Sequence, residues 1–124
     1  MAKDPTVYLK HIEDCIVQIL DYTHGMELAG FLRSRMTQDA VIRNLEIMGE
    51  AAKNINAEFR LKYPDVAWRR MAGMRDKLIH EYMAVDKWAV WEVVENVLPQ
   101  LLDDIREMID SEAQDPSTGA NMRT

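Results

Sequence analysis

Arg75, His80 and Tyr82 form the one compact set in the chain that joins a permanent cation, a titratable imidazole and a phenol. That set suits cleavage of a phosphodiester. RNA can be cut by its own 2′-hydroxyl if a base takes that proton, an acid protonates the departing 5′-oxygen, and positive charge meets the phosphorane as it forms. Histidine titrates near neutral pH and can take either proton-moving role, whereas arginine stays charged and can hold two phosphate oxygens at once. The scheme calls for no metal and no cofactor. The competing reading is structural, with Arg75 and His80 as helix-surface partners of Asp76 or Glu81.

Spacing constrains the idea. At 3.6 residues per turn Arg75 and Tyr82 share a face, while His80 is rotated by roughly 140° from Arg75. Either the helix starts or bends close by, with Gly73 adding freedom, or two copies of the segment meet across a two-fold axis and share a cleft. Glu50, Asp76 and Lys77 are candidate supports, Glu50 as the carboxylate that could orient Arg75, and Arg69 and Arg70 are candidate RNA contacts. Glu46 and Glu50, one turn apart, could form a carboxylate pair but fit a solvated face better. His11 and His24 lack convergent acidic or cysteine partners and read as surface residues. Cys15 sits among apolar residues and reads as an inert buried thiol. Trp88 and Trp91 read as buried against the bundle or a second subunit, and the methionines, Met36 and Met83 among them, as core and interface filler.

These residues must be positioned by helices. Asp4-Pro5 reads as an N-cap with proline at the first helical position, and the apolar spacing from Leu9 to Leu20 carries helix one from Pro5 to Thr23, with Gly25 as its stop. A short helix is predicted from Leu28 to Arg33. A second long helix starts near Thr37 and carries Val41, Leu45, Met48, Ala52, Ile55 and Phe59 on one stripe, until Tyr63-Pro64 breaks it. Gly49, costly at mid-helix, points to a close approach of another helix. Asp65 to Gly73 reads as a short helix and turn leading into a motif helix from Met74 to Met83. Asp86 caps the last helix, which Pro99 should interrupt near Asn96 to Leu98. The expected fold is all-α, an antiparallel bundle of four to five helices spanning residues 1–112, with a flexible tail from 113 to 124.

The 124 residues are 48% hydrophobic, enough for one domain, and carry a net charge of −6. An acidic chain argues against nucleic acid until the charge is counted locally. Residues 60–77 hold Arg60, Lys62, Arg69, Arg70, Arg75 and Lys77 against Asp65 and Asp76, a net of +4 that leaves −10 for the rest. The basic charge thus gathers beside the motif. With no secretory or membrane-spanning pattern, the chain is expected to be cytoplasmic and free of membrane. No aromatic platform names an RNA target.

Arg75-x4-His80-x-Tyr82 resembles the Arg-x4-His-x-Tyr motif of HEPN ribonucleases, and of the HepT family in particular. The segments Leu45 to Ala52, Tyr63-Pro64, Trp68, Ala72 to Arg75, His80 to Tyr82, Val85-Asp86 and Leu98-Pro99 follow as family landmarks, so the likeness covers about Leu9 to Ile109. The resemblance implies a HEPN-like helical homodimer, open to higher assembly, whose Arg75 and His80 cut RNA without metal at the dimer interface. It also implies a toxin neutralised by an MntA-like nucleotidyltransferase antitoxin that transfers AMP onto Tyr82. Added phosphate would place negative charge where RNA phosphate must bind. The alternative is a non-catalytic helical subunit that docks the nucleotidyltransferase and serves only as its AMP acceptor.

Overall fold

Asp4 begins the first helix as its residue type predicts: its carboxylate accepts a hydrogen bond from the Thr6 amide at 2.9 Å, and Pro5 occupies the first turn, where a missing N–H costs nothing. A computed structural model describes residues 4–81 and 84–114. Helix α1 covers Pro5–Thr23, and Gly25 leaves it at a φ of 76°, a left-handed conformation that suits glycine. Leu9, Ile12, Ile16 and Ile19 are fully buried along one stripe. Cys15 lies with them, and its burial, with Asp14 nearby, pushes the thiol up to about 11.

Helix α2, Leu28–Arg33, and helix α3, Arg35–Asn54, meet at Ser34. Ser34 Oγ accepts from the Thr37 amide at 3.2 Å, which starts α3 two residues before Thr37. The Gln38 side chain donates to the carbonyls of Phe31 and Leu32, satisfying the end of α2 from within α3.

The second long helix is shorter than its apolar stripe suggests. It ends at Asn54, and a separate helix α4 covers Ala57–Lys62. Two side chains account for the break. Asn56 Oδ1 accepts from the Phe59 amide at 2.8 Å, and Arg60 donates to the carbonyls of Ala52 and Ile55. Phe59 stays buried, so a broken helix preserves the apolar pattern of a continuous one.

The region after Pro64 corrects a second expectation. One helix, α5, runs unbroken from Trp68 to His80, straight through Gly73. Trp68 Nε1 donates to the Tyr63 carbonyl at 2.9 Å and anchors its start, while Trp68, Met71 and Leu78 bury one face. The helix stops at His80, with Glu81 as its cap; the expected extension reaches Tyr82 and Met83, which lie outside the described residues.

Asp86 caps helix α6, Lys87–Asn96, through the amides of Trp88 and Ala89. Val97 separates it from α7, Leu98–Gln114, with Pro99 tolerated in the first turn of α7. The helix continues two residues past 112, and most of the expected tail, 115–124, lies outside the described residues.

The fold is all-α, a bundle of five helices of ten residues or more and two of six, with no strand among the described residues. Helix α3 packs against both α1 and α5, α7 packs against α1 and α6, and α2 bridges α3 to α6. Phe31 and Trp91 stack there at 5.2 Å. Trp88, expected to bury against the bundle or a second subunit, is 62% exposed in the single chain, and Met36, expected as core or interface filler, is exposed too. Among the described residues no helix is long and apolar enough to cross a membrane.

Candidate active site

Gly49 decides how closely α3 and α5 approach. A Cβ at this position would come within 2.7 Å of the Met71 carbonyl oxygen and would collide with Cβ of Arg75. Its absence lets the two backbones meet directly beneath the Arg75 side chain. The guanidinium is then held from two sides, with Nε 3.1 Å from Glu50 Oε1 and Nη1 3.0 Å from Asp76 Oδ1. Lys53 reaches the same Asp76 oxygen at 2.9 Å. That ammonium, and Arg75 after it, hold the Asp76 carboxyl below the usual carboxylate range. Arg75 is 28% exposed, so it presents part of its fork to solvent while its orientation is set by carboxylates.

His80 is placed differently. It is exposed at the last residue of α5, and its Nδ1 lies 2.8 Å from the backbone carbonyl of Asp76. A carbonyl only accepts, so this contact requires Nδ1 to carry the proton. In the neutral ring Nε2 then keeps its lone pair and faces outward as a base.

The continuous helix removes one of the two routes for joining Arg75 with His80. No helix start lies between them and Gly73 introduces no break, so the two residues project from different sides of α5. Arg75 faces a cleft of about 320 Å³ that is also lined by Tyr8 and His11 of α1, by Arg43, Glu46, Glu50 and Asn54 of α3, and by Ile79. His80 is not among the lining residues. His11, read from sequence as a surface histidine without partners, stands in this cleft, and only the packing of α1 on α3 reveals it.

Much of the basic segment is engaged where it stands. Arg60 closes the end of α3, Lys62 pairs with Glu112 at 2.8 Å, and Arg70 lies 3.4 Å from Glu92. Arg69 and Lys77 are exposed. Lys77 and Arg70 line a separate apolar groove of about 280 Å³ between α5 and α6. Glu46 lies 3.8 Å from Arg43, so it is an ion-pair partner within the Arg75 cleft as well as a neighbour of Glu50. His24 is exposed at the end of α1. Among the described residues, no group of three or more His, Cys, Asp or Glu is placed to hold a metal ion.

Comparison with known proteins adds a family. The model described as Ribonuclease HepT-like matches residues 12–108. A provisionally named RNase of Methanocaldococcus jannaschii is 41% identical over 117 residues, which cover 94% of this chain and 97% of that protein. A provisionally named ribonuclease HepT of Thermococcus cleftensis is 46% identical over 101 residues, 82% of this chain and 92% of the relative. Another M. jannaschii protein, whose name joins a gamma-glutamylcyclotransferase to an RNase, is 44% identical over 110 residues, 89% of this chain and 50% of its own length. No solved structure matches the chain significantly.

Proposed function

The chain belongs to the HepT-like ribonuclease family, and from that premise we propose that it is a metal-independent endoribonuclease whose site is shared between two copies. The observation that carries this reading is the division of labour on α5. Arg75 is braced by Glu50 and Asp76 to receive phosphate oxygens, and His80 is held in the tautomer that leaves Nε2 as a base. One subunit does not aim both at one phosphate. A second copy related by a two-fold axis brings its His80 to the first copy's Arg75. The rim of the Arg75 cleft suits such a contact: Ile79 is 40% exposed, and Ile47 and Tyr8 stand half-buried beside it.

Subunit mixing tests the shared site. Arg75→Ala and His80→Ala are each inactive, but a heterodimer of the two rebuilds one intact site if Arg75 and His80 act across the interface. Cleavage restored on mixing, measured on a labelled oligoribonucleotide in chelator, is the expected result. If wild type leaves RNA intact in chelator, the ribonuclease reading is wrong. If wild type cuts and the mixture does not, the site lies within one chain.

The same reading makes the protein the toxin of a two-component system, with an MntA-like nucleotidyltransferase as antitoxin and Tyr82 as the AMP acceptor. The support is the family's motif, in which Tyr82 follows His80 by two residues. Glu81 and Ala84, on either side of the acceptor segment, are exposed. Intact mass after incubation with the nucleotidyltransferase and ATP should show added AMP on wild type and none on Tyr82→Phe. Equal addition to both would remove Tyr82 as the acceptor.

A further inference from the structure

We propose that His11 is a second imidazole of the RNA-cleaving site, the group that protonates the departing 5′-oxygen. The inference rests on the ribonuclease reading and supplies what that reading lacks. Displacement by the 2′-oxygen moves two protons in opposite directions, one away from the nucleophile and one onto the leaving group. Arg75 stays protonated and moves neither. His80, with Nε2 open, can take the first, and a different residue must deliver the second.

The chain has three histidines, His11, His24 and His80, and of these only His11 lines the cleft that holds Arg75. Its place is fixed by rigid structure. Leu9 and Ile12 on either side of it are fully buried in the packing of α1, so α1 sets His11 against α3 without a flexible loop. The groups that share its cleft are Tyr8 on its own helix, Arg43, Glu46 and Glu50 on α3, and Arg75 on α5. The two guanidiniums draw phosphate into the cleft that His11 lines. An imidazole sharing a cleft with a braced arginine is the arrangement that an acid for a phosphate ester needs.

The step balances within these groups. The 2′-oxygen forms a bond to phosphorus as His80 Nε2 of the second copy takes its proton. The bond from phosphorus to the 5′-oxygen breaks as His11 gives that oxygen a proton. The products are a 2′,3′-cyclic phosphate and a free 5′-hydroxyl, and exchange with water resets both rings.

Replacing the bridging 5′-oxygen with sulfur separates this role from any other, because a thiolate departs without being protonated. With the purified full chain, His11→Gln should cut ordinary RNA about 10²–10⁴-fold more slowly than wild type and cut the 5′-thio substrate at the wild-type rate. His80→Gln should be slow on both. The pH profile of His11→Gln should also lose the alkaline limb, where a general acid gives up its proton. His11 is exposed, so the variant should keep the wild-type melting curve. Equal slowing on both substrates would make His11 an RNA-binding or packing residue and overturn the proposal, as would no slowing at all. Failure of wild type to cut either RNA would instead overturn the ribonuclease reading and this inference with it.

Discussion

Two polar networks join distant parts of the chain, and they differ in where they lie. At one, Lys62 and Tyr63 at the end of α4 converge on Glu112 of α7. The Glu112 side chain is only 7% exposed, with Lys62 Nζ at 2.8 Å and the Tyr63 hydroxyl donating at 2.5 Å. Burial and the bond to Glu112 push the Tyr63 phenol above its ordinary value. At the other, Glu50, Arg75, Asp76 and Lys53 form a chain of contacts between α3 and α5 in which Glu50 is 53% exposed and Asp76 47%. A buried carboxylate must keep its partners or lose solvation it cannot recover, whereas exposed charges in water gain little by pairing. The first network therefore serves stability. The second contributes little to stability and fixes the orientation of the Arg75 guanidinium.

The largest effect should come from removing what the exposed network aims. Arg75→Ala is expected to reduce cleavage of a labelled oligoribonucleotide by about 10²–10³-fold, the usual loss for a positioned charge-stabilising donor, with the urea midpoint nearly unchanged. A large fall in stability would erase the contrast between the networks. Tyr63→Phe should do the opposite, costing about 1.5–3 kcal/mol in urea unfolding because Glu112 loses a hydrogen bond to a charged group, with cleavage at the wild-type rate.

Gly49→Ala should blur the two classes. The added methyl strikes the Met71 carbonyl and Arg75 Cβ, so it should cost about 1–3 kcal/mol as overpacking does and also lower cleavage by displacing Arg75. Lys53→Ala should have the smallest effect at neutral pH, because the pair it breaks is exposed to solvent. The depressed Asp76 value fixes the sign of its pH dependence. A carboxylate lowered by folding stabilises above its unfolded value, about 3.9, and loses that contribution as pH falls through the lower folded one. Urea unfolding of wild type and Lys53→Ala should therefore differ at pH 7 and converge in acid.

Legibility in the sequence followed the range of the interactions involved. Asp4, Ser34, Asn56 and Asp86 all cap helices through amides two or three residues away. The interruption at Pro99 and the stop at Gly25 were likewise visible, because each is a local steric demand. The end of α3 was not visible, since it depends on Arg60 folding back onto carbonyls of the preceding helix while Phe59 keeps the apolar stripe in phase. The unbroken α5 is not legible locally for a related reason. Gly73 weakens a helix only by about 1 kcal/mol, and the burial of Trp68, Met71 and Leu78 along one face outweighs it.

For the candidate site, sequence alone supplied the reactive residue types: a lasting cation and an imidazole five residues apart, with a glycine on another helix to let the motif helix come close. Those are properties of residue type and helical spacing, and they hold wherever the helix is placed. The tertiary structure alone decided that Glu50 braces Arg75 and that His11 shares the Arg75 cleft. Both depend on residues tens of positions apart meeting across the α1, α3 and α5 seams, and no local spacing encodes a contact set by how three helices pack.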